Sequence, residues 1–247
     1  MSDAERWAGL DSDEREQTCW QIGLWTDLHF SGMDENGPLF VGEDRQFRLV
    51  LGQRVRLGWK GTALSLTPDQ RAAAPELLAQ LRRVTGRPRT IELPTFMVQV
   101  DAEPVYDALE EMDEDDEGDL AVYLPDLMPV GFRRLTADEW EGVYRAGNTT
   151  LFPWGDAWPT RSPADAPVRV NSWGLEFDMD PYALELVHEG FIGGDGGHGL
   201  ERKSRPPTSW MSAACAYRPP EDILDEPLEY AALRLAKNAA PLSKFLD

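Results

Sequence analysis

The chain has 247 residues, of which 42% are hydrophobic, and this length is enough to bury the core of one large domain or two small ones. Its formal net charge of −20 argues against nucleic acids and anionic membranes as partners, because their phosphates would be repelled. The two cysteines, Cys19 and Cys215, are too few for a disulfide framework or a zinc cluster.

The N-terminal segment and the distribution of apolar residues indicate the cellular compartment. Residues 1–18 are acidic and polar, unlike a signal peptide. No apolar run in the sequence approaches the roughly 20 residues that a membrane-spanning helix needs. We therefore expect a soluble, cytoplasmic protein.

Residues 1–87 are predicted to form a β-rich region that ends in a helix. Residues 1–18 are charged and show little periodicity. Short apolar or alternating runs then predict strands, with Gly, Asn, Asp and Pro between them as turns require. These runs are residues 19–25, 47–51, 55–59 and 63–66, with a tight turn predicted at Gly52 and Gln53. Thr67 and Pro68 predict the start of a helix that ends at Gly86, and this region contains no catalytic motif.

The next segment combines strands with a strongly acidic stretch. Residues 91–100 predict one strand, a short helix follows around Tyr106 and Leu109, and residues 120–124 predict another strand. Between them, residues 110–119 carry eight carboxylates in ten positions, which cannot all be buried. We interpret the run as a solvated loop, because it lacks the Gly and Glu placement of a calcium-binding EF-hand loop.

Residues 134–156 carry the most informative motifs in the chain. Thr136 and Glu139 form a predicted capping box, in which each side chain accepts a hydrogen bond from the backbone of the other residue. Trp140, Val143 and Tyr144 follow at helical spacing and predict a large apolar face. A Gly-Asn pair at 147–148 is predicted to end this helix, and the aromatic turn Pro-Trp-Gly-Asp follows at 153–156.

These motifs resemble the signature of the formylglycine-generating enzyme family, also called the sulfatase-modifying-factor domain family. That family carries an Arg-Leu-Pro-Thr-Glu-Ala-Glu-Trp-Glu helix followed by a Pro-Trp-Gly-Asp turn. In this chain the helical segment is one residue shorter because the Pro is missing, whereas the turn at 153–156 is intact.

Later segments extend the resemblance to about residues 88–237. Residues 171–179 are similar to the family's Asn-x-Phe-Gly-Leu-Tyr-Asp-Met element, and residues 192–199 stand where the family has Arg-Gly-Gly-Ser-Trp. Residues 212–218 and 232–236 are similar to the closing segments. The resemblance implies that residues 88–247 form an α+β domain of the modified C-type lectin fold, with many ordered loops.

The resemblance also shows what this chain lacks. The family's oxidases use two active-site cysteines that hold a copper ion and activate oxygen, and thiolates are the ligands that copper(I) prefers. Here residues 196–212 contain no cysteine, and Cys215 lies in the closing segment, where a buried structural cysteine is expected. We therefore predict no formylglycine formation and no copper site.

The sequence also contains candidate ligands for two other metal sites. His188, Asp195 and His198 flank the Gly-rich loop and carry donors for a divalent ion, although surface histidines explain the same pattern. The resemblance implies a structural calcium site as well. Its candidate oxygen ligands here are Asn171, Asp178, Asp180 and Glu185, but the family's Gly-Asn pair beside them is replaced.

The preserved signature and the missing thiols together favour a non-catalytic protein that binds a protein or small-molecule ligand. Surface loops and aromatic side chains are the expected contact sites. The candidate ligand-binding residues are Trp173, Tyr182, Gly194, Asp195, Gly197 and Trp210, with Trp158 as a further exposed aromatic. The alternative is a metal-dependent oxidoreductase that uses the His/Asp site near the Gly-rich loop.

Overall fold

The computed structural model describes residues 1–60, 74–105, 127–158, 170–177, 184–193, 214–215 and 231–246. Its helices are α1 (Asp3–Ala8), α2 (Ser12–Thr26), α3 (Ala74–Val84) and α4 (Ala137–Arg145), with a short 3-10 helix at Leu242–Lys244. The first six strands are β1 (His29–Asp34), β2 (Gly37–Gly42), β3 (Arg45–Val50), β4 (Gln53–Leu57), β5 (Arg89–Leu93) and β6 (Phe96–Gln99). The remaining strands are β7 (Glu103–Pro104), β8 (Arg133–Arg134), β9 (Leu184–Val187), β10 (Gly190–Gly193), β11 (Ala231–Leu233) and β12 (Leu235–Asn238).

The described strands form three sheets with mostly antiparallel pairing. The largest has the order β1-β2-β3-β6-β12-β8, and every neighbouring pair in it is antiparallel. A second sheet has the order β10-β9-β11-β7, in which β9 and β11 run parallel. Strands β4 and β5 form a separate two-stranded ribbon. With helices packed beside antiparallel sheets, the architecture is α+β, as the sequence predicted.

Strands from both sides of residue 87 share the largest sheet. Strand β3 pairs with β6, which in turn pairs with β12 near the C-terminus. One hydrophobic cluster likewise joins Cys19 and Phe40 to Met97, Leu186 and Leu235. A boundary at residue 87 therefore does not separate two independent cores in the described residues.

Two helices, α1 and α2, make up most of the N-terminal 26 residues, and the prediction of a strand at 19–25 was wrong. Helix α2 spans Ser12–Thr26, and its Asp11 N-cap side chain accepts a hydrogen bond from the amide of Glu14 in a complete capping box. Helix α1 begins with a similar capping box at Ser2. Caps of this kind satisfy amides that a helix start leaves without partners.

Two further predictions need correction. The strand predicted at 91–100 is interrupted by Pro94 and Thr95, so that β5 pairs with β4 and β6 pairs with β3. Proline has no amide to donate to a ladder, which explains the break. Gly52 and Gln53 do not close a hairpin, because β3 and β4 belong to different sheets.

Strands β3 and β4 confirm the predictions at 47–51 and 55–59 to within a few residues, and α3 ends before Gly86 as expected. The elements predicted at 63–66, Thr67, Tyr106, Leu109, 110–119 and 120–124 lie outside the described residues. No helix among the described parts of the chain combines the length and apolar character that crossing a bilayer demands.

Helix α4 has the predicted N-terminal cap. The amide of Glu139 donates to Thr136 Oγ1 over 3.1 Å, and the Thr136 amide donates to Glu139 Oε2 over 2.9 Å. The helix ends one residue earlier than predicted, since Ala146 and Gly147 both adopt left-handed backbone angles. Its apolar face, with Trp140, Val143 and Tyr144, packs into a second hydrophobic cluster that also contains Cys215.

Candidate functional site

The two thiols lie in different hydrophobic clusters. Cys19 is on α2, in the cluster with Phe30 and Phe40, whereas Cys215 belongs to the cluster around Trp140. Both side chains are completely buried and neither forms a disulfide. Burial raises the pKa of each thiol to about 12, so both are protonated at neutral pH. Protonated thiols in separate clusters do not make a two-thiolate metal site.

Glu185, one of the candidate calcium ligands, is the partner of a buried arginine. Its Oε1 accepts a hydrogen bond from Arg234 over 2.8 Å, and its Oε2 accepts from Arg234 Nε over 2.9 Å. The Trp140 indole also donates to Oε2 over 2.8 Å. Both carboxylate oxygens of Glu185 thus connect β9 to Arg234, at the junction of β11 and β12, and one of them also connects β9 to α4.

Asn171, a second candidate calcium ligand, shapes the turn that contains Trp173 and Leu175. Its side-chain oxygen accepts hydrogen bonds from the amides of those two residues, over 3.0 and 3.1 Å. Its side-chain amide donates to Val143 O at the end of α4 over 2.6 Å. The other two candidates, Asp178 and Asp180, lie outside the described residues, so the calcium site stays a prediction.

His188, the described member of the predicted His/Asp metal site, is exposed in the turn between β9 and β10. Its amide donates to Leu135 O over 2.8 Å. In the β9-β10 hairpin, Gly190 pairs with Val187 and Gly193 pairs with Leu184, so Gly193 lies at the hairpin end opposite His188. Asp195 and His198 lie outside the described residues. Within the described ranges, no group of three metal-binding side chains is assembled.

Of the predicted ligand-binding residues, only Trp173 is described. It is half-buried and packs against the cluster around Trp140 and Phe177. Tyr182, Gly194, Asp195, Gly197 and Trp210 lie outside the described residues. The expectation that Trp158 is exposed was wrong, since its ring contacts Phe152 edge-to-face and is 4% exposed.

The described surface instead exposes aromatic side chains on helix α2. Trp20 is 45% exposed, Leu24 85% and Trp25 53%. At about 100° per residue, these three side chains lie on one half of the helix. Thr18, Cys19, Ile22, Gly23 and Thr26 occupy the other half and are buried. We call the surface formed by Trp20, Leu24 and Trp25 the α2 patch.

Neighbouring side chains fix the two indoles of the α2 patch. The Trp20 ring meets the rings of His29 and Phe30 edge-to-face, with centroids 5.7 and 5.4 Å apart. The Lys244 ammonium lies 3.2 Å from the centroid of the Trp25 ring, a cation–π contact. A lysine of the protein itself therefore already occupies one aromatic face of this surface.

Exposed carboxylates lie along α2 beside the patch and at the end of the helix, in addition to the Lys244 ammonium over Trp25. Asp13 and Glu16 lie on the same outward half of the helix, Asp27 follows its last turn, and all three are exposed. Glu14, Gln17 and Gln21 complete that half. The sequence has no Lys or Arg between Glu16 and Asp27. An apolar centre with a polar rim is the arrangement of many protein-binding surfaces, and tryptophan is enriched at their energetic centres.

Sequence reasoning missed the α2 patch because it assigned residues 19–25 to a strand. Apolar residues on both halves of the helix, such as Ile22 inside and Leu24 outside, hide the helical period. The signal that would have found it is the Asp11–Glu14 capping box, followed by Trp20 and Leu24 at i, i+4 spacing.

Comparisons with known proteins give little guidance. No family model matches the chain, and no curated protein matches it. Among solved structures, PvdO from Pseudomonas aeruginosa is similar, with a TM-score of 0.43 and 13% sequence identity. That similarity covers 85% of this chain and 98% of PvdO.

Proposed function

We propose that this chain is a non-catalytic binding protein on a scaffold of the formylglycine-generating enzyme type, and that it does not form formylglycine. The observation that carries the proposal is the burial of Cys19 and Cys215 in separate hydrophobic clusters. An oxidase of the resembled family requires two thiolates that reach one copper ion.

The scaffold part of the proposal is supported by the residues that carry the resemblance. The capping box of Thr136 and Glu139 opens α4, which directs Trp140 into the core. In the aromatic turn, Trp154 stacks on Phe152 with centroids 4.9 Å apart, and Gly155 takes a φ of +124°. Such a φ favours glycine, which explains why the turn carries one.

The absence of oxidase activity is supported by the protonation of the thiols. Copper(I) binding requires deprotonated sulfur, so a pKa of about 12 opposes metal capture at neutral pH. Moving either thiol towards the other would break up a packed hydrophobic cluster. Neither cysteine is suited to attack or coordination.

Copper titration of the full chain tests this proposal. We expect no stoichiometric thiolate-bound copper, and no conversion of cysteine to aldehyde, seen by mass spectrometry, in a peptide carrying a sulfatase-type cysteine motif. The Cys19→Ser and Cys215→Ser variants serve as controls. Copper binding that both substitutions abolish, or aldehyde formation by the wild type, would overturn the proposal.

Metal analysis of the same preparation addresses the alternative of a metal-dependent oxidoreductase. His188→Ala and His198→Ala variants should leave the metal content and the folded state unchanged if both histidines are ordinary surface residues. A bound divalent metal that is lost in both variants would instead support the His188, Asp195 and His198 site and count against a purely binding role.

A further inference from the structure

We propose that the α2 patch is the docking site for a basic, amphipathic helix of a partner protein. This inference rests on the proposed binding function and specifies its partner class. Trp20, Leu24 and Trp25 supply the apolar contact, and the carboxylates around them supply the charge selectivity.

The apolar part of the argument is the exposure of the three side chains on a well-anchored helix. The opposite half of α2 is held in the core by Cys19 and Ile22, both completely buried. Its first turn is fixed by the Asp11 cap, and its end by Asp27 in a left-handed conformation with φ of +56°. A rigid helix that presents large apolar groups to water loses little conformational entropy on binding.

The shape of the patch favours a helical partner. Trp20 and Leu24 are one turn apart and form a ridge along α2. Such a ridge packs into the groove between side-chain rows of a second helix. The exposed carboxylates of Asp13 and Asp27 lie beyond the two ends of this ridge, about 20 Å apart at 1.5 Å per residue.

The charge of the patch favours a basic partner over the other possible occupants. Asp13 and Glu16 carry negative charge on the outward half of α2, Asp27 carries one at its C-terminal end, and the whole chain has a net charge of −20. A second copy would bring carboxylates against carboxylates, and an anionic bilayer would be repelled. Helices that lie on membranes carry Lys and Arg beside their apolar face, whereas α2 has no such residue after Arg15.

Lys244 illustrates the contact that a basic partner would make. Its ammonium already lies over the ring of Trp25, a member of the patch. Lysine and arginine side chains from a partner helix would find similar aromatic faces and nearby carboxylates. The selectivity therefore comes from charge at the rim and the affinity from apolar burial at the centre.

Isothermal titration calorimetry of the full chain with an 18-residue Leu/Lys peptide of helical periodicity tests the proposal. We expect saturable binding that weakens as the salt concentration rises. Leu24→Gln should weaken it at least about tenfold, the effect of losing roughly 1.4 kcal/mol of apolar contact. Val130→Gln is the matched control, because Val130 is a 98% exposed apolar residue in a turn that is not part of α2, and this variant should leave binding unchanged.

Charge is tested by the double variant Glu16→Gln/Asp27→Asn, in which Asn tolerates the left-handed conformation. It should bind the peptide more weakly and with a flatter salt dependence. A Leu/Glu peptide and a scrambled Leu/Lys peptide should not displace the helical Leu/Lys peptide. Circular dichroism that matches the wild type shows that each variant is folded.

Several results would overturn the proposal. They are the lack of saturation up to about 1 mM peptide, equal affinity for the scrambled peptide, and sedimentation showing a dimer that Leu24→Gln dissociates. Binding to vesicles that contain anionic lipid, lost in Leu24→Gln, would equally overturn it. These outcomes leave the copper and thiol results untouched, so failure of this inference is distinguishable from failure of the proposed function.

Discussion

Arg234 and Glu185 form a two-point ion pair inside the protein, with two nitrogen–oxygen distances of 2.8 and 2.9 Å. Arg234 is 1% exposed, and its guanidinium lies 4.3 Å from the centroid of the Phe177 ring. It also donates hydrogen bonds to the carbonyl oxygens of Gln99, Val100 and Glu176. One side chain thus connects the large sheet, the four-stranded sheet and the segment of the predicted calcium site.

Removing one partner of this pair should strongly destabilise the protein. Glu185→Gln leaves the Arg234 charge buried without its counter-charge, and we expect the free energy of unfolding to fall by about 3–5 kcal/mol in urea titrations. The double variant Arg234→Met/Glu185→Leu should lose less unfolding free energy than the single variants Arg234→Met and Glu185→Leu lose together, because no charge is left unpaired. Arg54→Ala is the control, since the Arg54–Glu92 pair is exposed with a separation of 3.8 Å. A Glu185→Gln loss as small as that of the control would contradict the prediction.

A second buried carboxylate ties α4 to the end of β4. Glu141 is completely buried, accepts from the amide of Gly58 over 2.6 Å and pairs with Arg145 over 2.9 Å. We expect Glu141→Gln to lower the free energy of unfolding by about 3 kcal/mol and to speed hydrogen exchange of the Gly58 amide. Asp138→Asn, on the half-exposed side of the same helix, is the control and should cost less than about 1 kcal/mol. Unchanged exchange at Gly58 would show that this link does not hold the β4 segment.

Local signals in the sequence predicted local structure well. The α4 cap was predictable because Thr136 and Glu139 are three residues apart and satisfy each other's backbone amides. Helix α2 was missed because its apolar residues face both the core and solvent, which leaves no clear helical period. Pro94 was a visible break in the strand predicted at 91–100, although the change of partner strand was not.

Long-range pairings explain why the candidate site was less predictable. The sequence indicated Glu185 as a candidate calcium ligand, but its partner Arg234 is 49 positions away and no local pattern links them. Similarly, the exposure of Trp20 depends on how α2 packs against β1. The nine tryptophans cannot be told apart by their apolar character in the sequence, and only the tertiary fold decides that Trp158 is buried while Trp25 is exposed.

The neighbouring carboxylates of Glu176 and Asp101 should make the stability of the protein depend on pH. The Asp101 carboxylate raises the pKa of Glu176 above its ordinary value. A raised folded-state pKa means that the folded protein binds the proton of Glu176 more tightly than the unfolded chain does. The repulsion between Glu176 and Asp101 therefore lowers the stability as the pH rises through the folded-state pKa of Glu176. Glu176→Gln should therefore raise the free energy of unfolding at pH 7 and have little effect below about pH 4.

Asp34→Asn is the matched control for that experiment, with the opposite sign. Hydrogen bonds from Arg48 lower the pKa of Asp34, so its contribution to stability is present at neutral pH and is lost as the pH falls through the folded-state pKa. The variant should be less stable than the wild type at pH 7, and the difference should shrink in acid. Parallel pH profiles for the two variants would contradict both assignments.

Gly174, in the segment that resembles the family's Asn-x-Phe-Gly-Leu element, should not tolerate a side chain. Its φ of +71° is a conformation that L-residues rarely adopt, and a Cβ there would lie 2.7 Å from Asn36 Cβ and 2.9 Å from Arg48 Nε. Gly174→Ala should therefore combine backbone strain of about 1 kcal/mol with displacement of Arg48 from Asp34. Gly147→Ala provides the comparison, because Gly147 has a φ of +82° but its Cβ would meet no described atom within 4 Å. We expect thermal unfolding to show a clearly larger loss for Gly174→Ala, and equal losses would mean that Arg48 moves aside without cost.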